Sequence, residues 1–407
     1  MKKIRIAYLI SRYPAISHTF ILREINGLRQ LGFEIKVASI NTTDRPFAQL
    51  TILEQEEAAA TFYVKPAGLM GAVKAHLLTL FTQPLSYGRG LWFALRLGQT
   101  DLKKILYNFF YFVEAVMIGH WMRSQQLTHL HIHIAMAAAT VGLIIKHTFP
   151  IHFSMTVHGP DEFYDTSNYY LRQKIVEAHF ICCISHFAHS QLMMLSSPSV
   201  WEKLEISPLG VDPHLFAPCT FRETPTPFEI LCVGRLVPVK GQLILLEAVA
   251  QLIAQGRVIH LRYIGDGPDR PHLQQRIVQQ QLTQHIVLEG AVNQDKIRDF
   301  YAQADVFVLA SFAERLPVVL MEAMMMQIPC ITTHITGIPE LIRNGEGLLV
   351  APSDVAGLAQ AIALLMDHPE LRRQMGEAGR LSALQRYDLQ SNTERLAHIF
   401  QRRLDHS

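Results

Sequence analysis

The chain has 407 residues, 49% of them hydrophobic and 18% charged, with a formal net charge of +2 at pH 7. That length exceeds one ordinary core, so two domains are expected. The near-neutral balance excludes a polyanionic partner such as nucleic acid, and five cysteines without disulfide or zinc spacing point to reduced thiols in a cytosolic protein.

Lys3 to Ile10 reads as a first strand. It resembles a signal peptide only briefly, because Arg5 interrupts the apolar run, Arg12 follows it and no small-residue cleavage site appears. Thr19 to Leu31 has helical spacing, Gly32 ends it, and Phe33 to Ile40 reads as the next strand. This strand–helix–strand unit implies a right-handed crossover and parallel pairing. The loop Ser11 to His18 follows the first strand, at the end where such sheets bind ligands. It is not G-x-G-x-x-G, which argues against a nicotinamide dinucleotide site there.

Residues 66–126 mix apolar and aromatic clusters with cations. From Thr61 to Pro150 eight Lys/Arg face two acids, a local excess of +6. Ile105 to Met122 is long enough to suggest a membrane span, but Asn108, Glu114 and His120 interrupt it. Two readings stay open: an amphipathic surface resting on anionic lipid, or solvated helices over the sheet. His129 to Ile134 alternates as a strand, and His131 and His133 share one face. No acid or cysteine lies nearby in sequence, so a strand end facing a cleft is expected rather than a metal site. Phe153 to Val157 and Ile181 to Ser185 are further strands, with His158-Gly-Pro-Asp161 beyond the first and a helix from His186 to Leu195 after the second. The Pro-rich stretch Pro213 to Pro227 reads as a linker.

The alternation restarts with a strand from Phe228 to Val233, the loop Gly234-Arg-Leu-Val-Pro-Val-Lys-Gly241 and a helix from Gln242 to Gln255. Val258 to Ile264 ends in Gly265-Asp-Gly-Pro268. Asp305 to Leu309 leads to Phe312-Ala-Glu-Arg-Leu-Pro-Val-Val-Leu-Met-Glu-Ala323, with Pro317 expected in the first helical turn. Glu314 then lies in a strand-to-helix loop and Glu322 on the helix. Arg235 and Lys240 offer a guanidinium fork and an ammonium to a diphosphate, beside free helix N–H groups. Two carboxylates beside them suit the hydroxyls of a sugar and a ribose. Together these residues describe a site for a nucleotide sugar.

Those motifs resemble GT-B glycosyltransferases of the large retaining family four. The matching pieces are E-x7-E at Glu314 and Glu322, G-R-x4-K-G at Gly234 to Gly241, H-G-x-D at His158 to Asp161 and G-I-P-E at 337–340. The run Tyr13 to Ile25 is similar to a subgroup that builds bacterial exopolysaccharides such as colanic acid. The resemblance implies an α/β GT-B architecture, two Rossmann-like doubly wound domains facing each other across a cleft. Residues 1–212 would form the acceptor-side domain, 213–385 the donor domain, and a C-terminal helix within 386–407 would pack back on the first.

By the same resemblance Glu314 would hold the donor sugar, Glu322 the ribose, and Arg235 and Lys240 the diphosphate. His158 would approach the sugar, while Gly234, Gly265, Val292 and Leu316 would line the donor site. Ser17, Thr19 and Asp161 fall on the acceptor side. The family retains anomeric configuration by same-face attack, and the absence of D-x-D implies no metal or other cofactor. The expected partners are a nucleotide sugar, a glycan or lipid-linked acceptor, and an anionic membrane surface met through 66–126 on the inner face of the cell membrane. Two residues depart from the pattern: Arg315 stands where many relatives have Gly, and His18 where the subgroup has Glu. A glycoside hydrolase and a non-catalytic partner in a polysaccharide assembly complex are the competing readings; the hydrolase would not need phosphate-binding cations.

Overall fold

A computed structural model describes residues 4–404. Lys3 and residues 405–407 lie outside it. The chain divides into two compact units, residues up to 207 together with those from 393 onward, and residues 208–392.

The first unit is built on seven strands: β1 (Arg5–Arg12), β2 (Glu34–Asn41), β3 (Phe62–Tyr63), β4 (His129–His133), β5 (His152–Val157), β6 (Ile181–Cys183) and β7 (Leu204–Ile206). They pair in parallel in the order β3-β2-β1-β4-β5-β6-β7. Both faces are covered, so the strands carry nearly continuous apolar runs that sort by alternation into two cores. Ala7 and Leu9 face a core that includes Phe112, Ile118 and Ile144 from the helices Leu102–Ser124 and Ala137–Thr148. Ile6, Tyr8 and Ile10 face the other, closed by the helix Thr19–Gln30 and by Phe400 on the helix Leu389–Leu404.

The second unit has six strands, β8 (Phe228–Val233), β9 (Ile259–Ile264), β10 (Ile286–Gly290), β11 (Val306–Leu309), β12 (Cys330–Thr333) and β13 (Leu348–Val350). Their order is β10-β9-β8-β11-β12-β13, again all parallel.

The stretch 213–227 is not the free linker its proline content suggests. Phe216 is buried against Tyr301, Arg222 pairs with Asp305, and the Arg372 guanidinium donates to the Arg222 and Glu223 carbonyls. The backbone crossings lie at 207/208 and 392/393, where the sequence reading placed 212/213 and 385/386. The reason is a stitch between them: Val211 N–H donates to the Tyr387 carbonyl and Leu389 N–H to the Val211 carbonyl, with the Asn392 amide on the Leu209 carbonyl. Among the described residues no helix is long and apolar enough to cross a membrane.

Candidate donor site and a buried histidine relay

In the second sheet the chain runs outward from β8 through β10, then returns to β11 and continues the other way. The loops after β8 and β11 therefore part at the switch point of a doubly wound sheet, the usual place for a ligand. Register places Phe307 opposite Leu231, so two loops remote in sequence emerge side by side.

The backbone there admits little but glycine. Gly241 has φ +62°, and a Cβ on it would sit 2.1 Å from the Ala310 carbonyl oxygen. Only without that atom can the helix Gln242–Ala254 start against the end of β11. Phe312 N–H donates to the Val239 carbonyl at 2.8 Å and closes the loops together.

This brings Lys240 onto Glu314. The ammonium donates to both carboxylate oxygens, at 2.6 and 2.7 Å, and Ser311 Oγ donates to one of them at 2.6 Å. Glu314 is 5% exposed, while the Lys240 side chain keeps 22%. Thr336 Oγ1 donates to the Glu314 carbonyl and Thr333 Oγ1 to that of Ser311, so the loop after β12 braces the loop after β11. Gly234 and Gly265 touch: a Cβ on Gly265 would fall 2.0 Å from the Gly234 carbonyl oxygen.

Of the other donor-side residues, Arg235 is exposed in the loop after β8, with its carbonyl held by the Gln242 side chain. Glu322 is buried on the helix Val318–Met325 and accepts from the Tyr301 hydroxyl at 3.1 Å. Leu316 is buried and Val292 half-buried. Pro317 is the N-cap of its helix rather than a residue of the first turn. Two helices thus begin beside a lysine and a carboxylate, with an arginine in the same loop: an arrangement that offers N–H groups and cations to an anion and a carboxylate to hydroxyls.

The first-unit residues make a different picture. Ser17 and Asp161 are exposed and Thr19 is half-buried, all in loops or first turns after strand ends. His158 is 1% exposed, so it stands less open than expected, its ring 5.1 Å from that of Phe20. His131 and His133 are also fully enclosed, contrary to the expected strand end facing a cleft. They face the core closed by Phe400: His131 is bonded by both ring nitrogens, to Ser154 Oγ at 2.8 Å and Thr156 Oγ1 at 2.9 Å, and lies 5.0 Å from the Phe400 ring. Burial pushes its pKa well down, and that of His129 to about 3, which keeps both rings neutral.

Sequence reasoning missed three acids and bases here. Glu24, on the helix Thr19–Gln30, accepts from the Tyr8 hydroxyl at 2.8 Å and lies 3.1 Å from His133 Nε2. His133 Nδ1 is 3.1 Å from His158 Nε2. Glu162 takes the N–H groups of His158 (2.5 Å), Gly159 (2.8 Å) and Ala135, and Lys174 donates to the carbonyls of Ala135 and Met136. Burial pushes the Lys174 pKa down, with Glu162 opposing. That clamp ties the ends of β4 and β5 and so sets His133 against His158. Nothing in the periodicity of the helix marks Glu24; the nearest signal was the alternating His-x-His-x-His. Glu24, His131 and His133 also hold ligand-type atoms within 4.8 Å of one another, a spacing a metal ion would need, yet hydrogen bonds to Tyr8, Ser154, Thr156 and His158 already engage them.

Comparison with known proteins shows what this chain is similar to. Residues 221–382 match the family described as Glycosyl transferases group 1. The putative colanic acid biosynthesis glycosyltransferase WcaL of Escherichia coli (strain K12) is 26% identical over 377 residues, 88% of this chain and 90% of that one. The amylovoran biosynthesis glycosyltransferase AmsK of Erwinia amylovora is 24% identical over 98% of both. Among solved structures, Anabaena Alr3699/HepE in complex with UDP and glucose superposes with a TM-score of 0.74 at 18% identity, over 98% of this chain and 99% of that one. The fold is GT-B, two parallel-sheet Rossmann-like domains, and the protein is a glycosyltransferase. The Glycosyl transferases group 1 match falls within the second unit, and the similar proteins include exopolysaccharide biosynthesis glycosyltransferases.

Proposed function

We propose that this glycosyltransferase moves a sugar, with retention and without a metal ion, from a nucleoside-diphosphate sugar to a glycan or lipid-linked acceptor in exopolysaccharide biosynthesis. The observation that carries the reading is the Lys240–Glu314 pair at the switch point of the second sheet, beside two helix N-termini. In it, Lys240 and Arg235 meet the diphosphate and act most strongly on the charge that grows as it leaves. Glu314 turns to the sugar hydroxyls and Glu322 to the ribose. Gly234 and Gly265 let the backbone approach the nucleotide, which Val292 and Leu316 flank. His158 serves the sugar, and Ser17, Thr19 and Asp161 the acceptor. Titration calorimetry with UDP and GDP tests the reading directly: Lys240→Met and Arg235→Ala are expected to weaken binding by at least tenfold each. Affinity unchanged by both substitutions would refute it.

The reading extends to the membrane face. Helices Gly68–Thr82, Pro84–Leu97 and Leu102–Ser124 leave large apolar side chains in solvent, with Leu85 89% and Met70 87% exposed, and Phe81, Trp92 and Leu102 well exposed too. Lys74, Arg89, Arg96 and Lys103 are exposed among them. Apolar groups flanked by cations suit an anionic bilayer surface, where a lipid-linked acceptor would be met.

A further inference from the structure

We propose that Glu24 and His133 are positioning residues for His158: a buried chain, carboxylate to imidazole to imidazole, that fixes which nitrogen of His158 carries its proton and stabilises positive charge on it. The proposal rests on the reading that His158 serves the transferred sugar.

The tautomers follow from donor and acceptor counting. Glu24 Oε1 receives the Tyr8 hydroxyl, whose own ionisation is suppressed by burial and by Glu24. The carboxylate is therefore the acceptor for His133 Nε2, and that nitrogen carries the proton. Neutral His133 then has a lone pair at Nδ1, so the proton between the rings belongs to His158 Nε2. His158 Nδ1 is then the nitrogen without a proton, the acceptor atom of that ring. Should His158 take a proton there, its Nε2 proton can pass to His133 Nδ1, and the charge comes to rest on a ring already bonded to Glu24. This is the division of labour in which one group reacts and a carboxylate behind it orients and stabilises the ring.

Groups from several neighbouring elements frame it. Tyr8 comes from β1, His131 from β4 and Cys182 from β6; Glu162 lies beneath the His158 backbone, and His18 packs on the far side of Phe20. His131 is neutral and Glu162 is occupied with backbone N–H groups. Glu24 is the carboxylate bonded to the His133 ring.

The test uses the full chain labelled with 15N-histidine. Its twenty histidines are resolved by assigning His158 from the signals lost in His158→Ala. Long-range 1H–15N spectra are expected to show the Nε2–H form of His158. Glu24→Gln keeps the size and an acceptor oxygen but removes the charge. It should lower the titration midpoint of the coupled pair by about one unit, since an adjacent opposite charge moves a pKa by roughly 1–3 units. Tyr8→Phe loosens the same buried cluster without removing the charge, and should not lower the midpoint. His133→Asn, which cuts the chain at its centre, gives the same readout if Glu24→Gln does not fold. The acid limb of kcat/KM, followed by UDP release from UDP-glucose, should move with the midpoint. An unchanged midpoint in Glu24→Gln, or an Nδ1–H form of His158, overturns the relay. Wild-type UDP release by His158→Ala overturns the role of His158 itself, and the relay with it.

Discussion

Lys240 and Glu314 are joined in the protein before any donor binds, which makes them a test of stability as well as of turnover. The carboxylate is 5% exposed and its charged partner is the Lys240 ammonium, supported by Ser311 Oγ. Lys240→Met leaves that carboxylate with a single hydroxyl donor. A hydrogen bond to a charged group contributes roughly 1.5–3 kcal/mol, so a loss of about 2–3 kcal/mol is expected. In a unit of this length one kcal/mol corresponds to roughly 2–4 °C, placing the shift at about 5–10 °C. Glu314→Gln costs less, about 1–2 kcal/mol, because the ammonium reaches water. The double variant Lys240→Met/Glu314→Gln removes both charges and should recover at least about 1 kcal/mol of the summed loss. Thermal melts of the four proteins, read on the transition that a nucleoside diphosphate is expected to raise, measure this coupling. Strictly additive single losses would show that the pair does not hold the loop, and the argument would fail. Lys240→Met should also lower kcat/KM by roughly 10²–10³, as the loss of an electrostatic contact to the leaving group does, and Glu314→Gln should lower it through the lost contact to the sugar hydroxyls.

Further outcomes follow from other sites. Burial raises the Glu114 pKa to about 7, with Lys65 opposing, so its folded-state pKa lies above the unfolded one. Its charge is tolerated poorly in the fold, and stability is lost as pH rises through the folded value. The advantage of Glu114→Gln in urea unfolding should therefore grow by about 1 kcal/mol between pH 6 and pH 8; a gap that stays constant would contradict it. Gly241→Ala forces a Cβ onto the Ala310 carbonyl at a positive φ, and should cost more than about 2 kcal/mol and abolish UDP binding; wild-type melting would refute the packing argument. Flotation with anionic liposomes should fall when Phe81 and Leu85 are changed to Ser, and should weaken with salt. Binding that ignores both would remove the membrane face.

Much of this architecture was legible in local pattern. The helix His186–Leu195 has the bounds the sequence reading assigned, because an apolar stripe and a cap are properties of adjacent residues, and the helix Leu389–Leu404 falls within the expected 386–407. Strand ends were displaced by one or two residues, as where the first strand runs on to Arg12. The loops bearing Lys240 and Glu314 were legible as loops after strands, and the structure brings those two residues together. Proline content misled at 213–227, since it reports a broken helix and not whether Phe216 and Arg222 find a surface to bind.

Amino-acid order alone therefore determined the alternation of strand and helix, the doubly wound class and the residue types of the proposed nucleotide-sugar site. Tertiary structure decided which of them meet. Glu314 reaches Lys240 because β11 pairs with β8, and Glu24 reaches His133 because the helix bearing Glu24 packs in the same core as Tyr8, whose ring lies beside His133. Periodicity records which face of an element is apolar, whereas partners 74 and 109 positions away are chosen by sheet order and by the burial of charges that cannot stay unpaired.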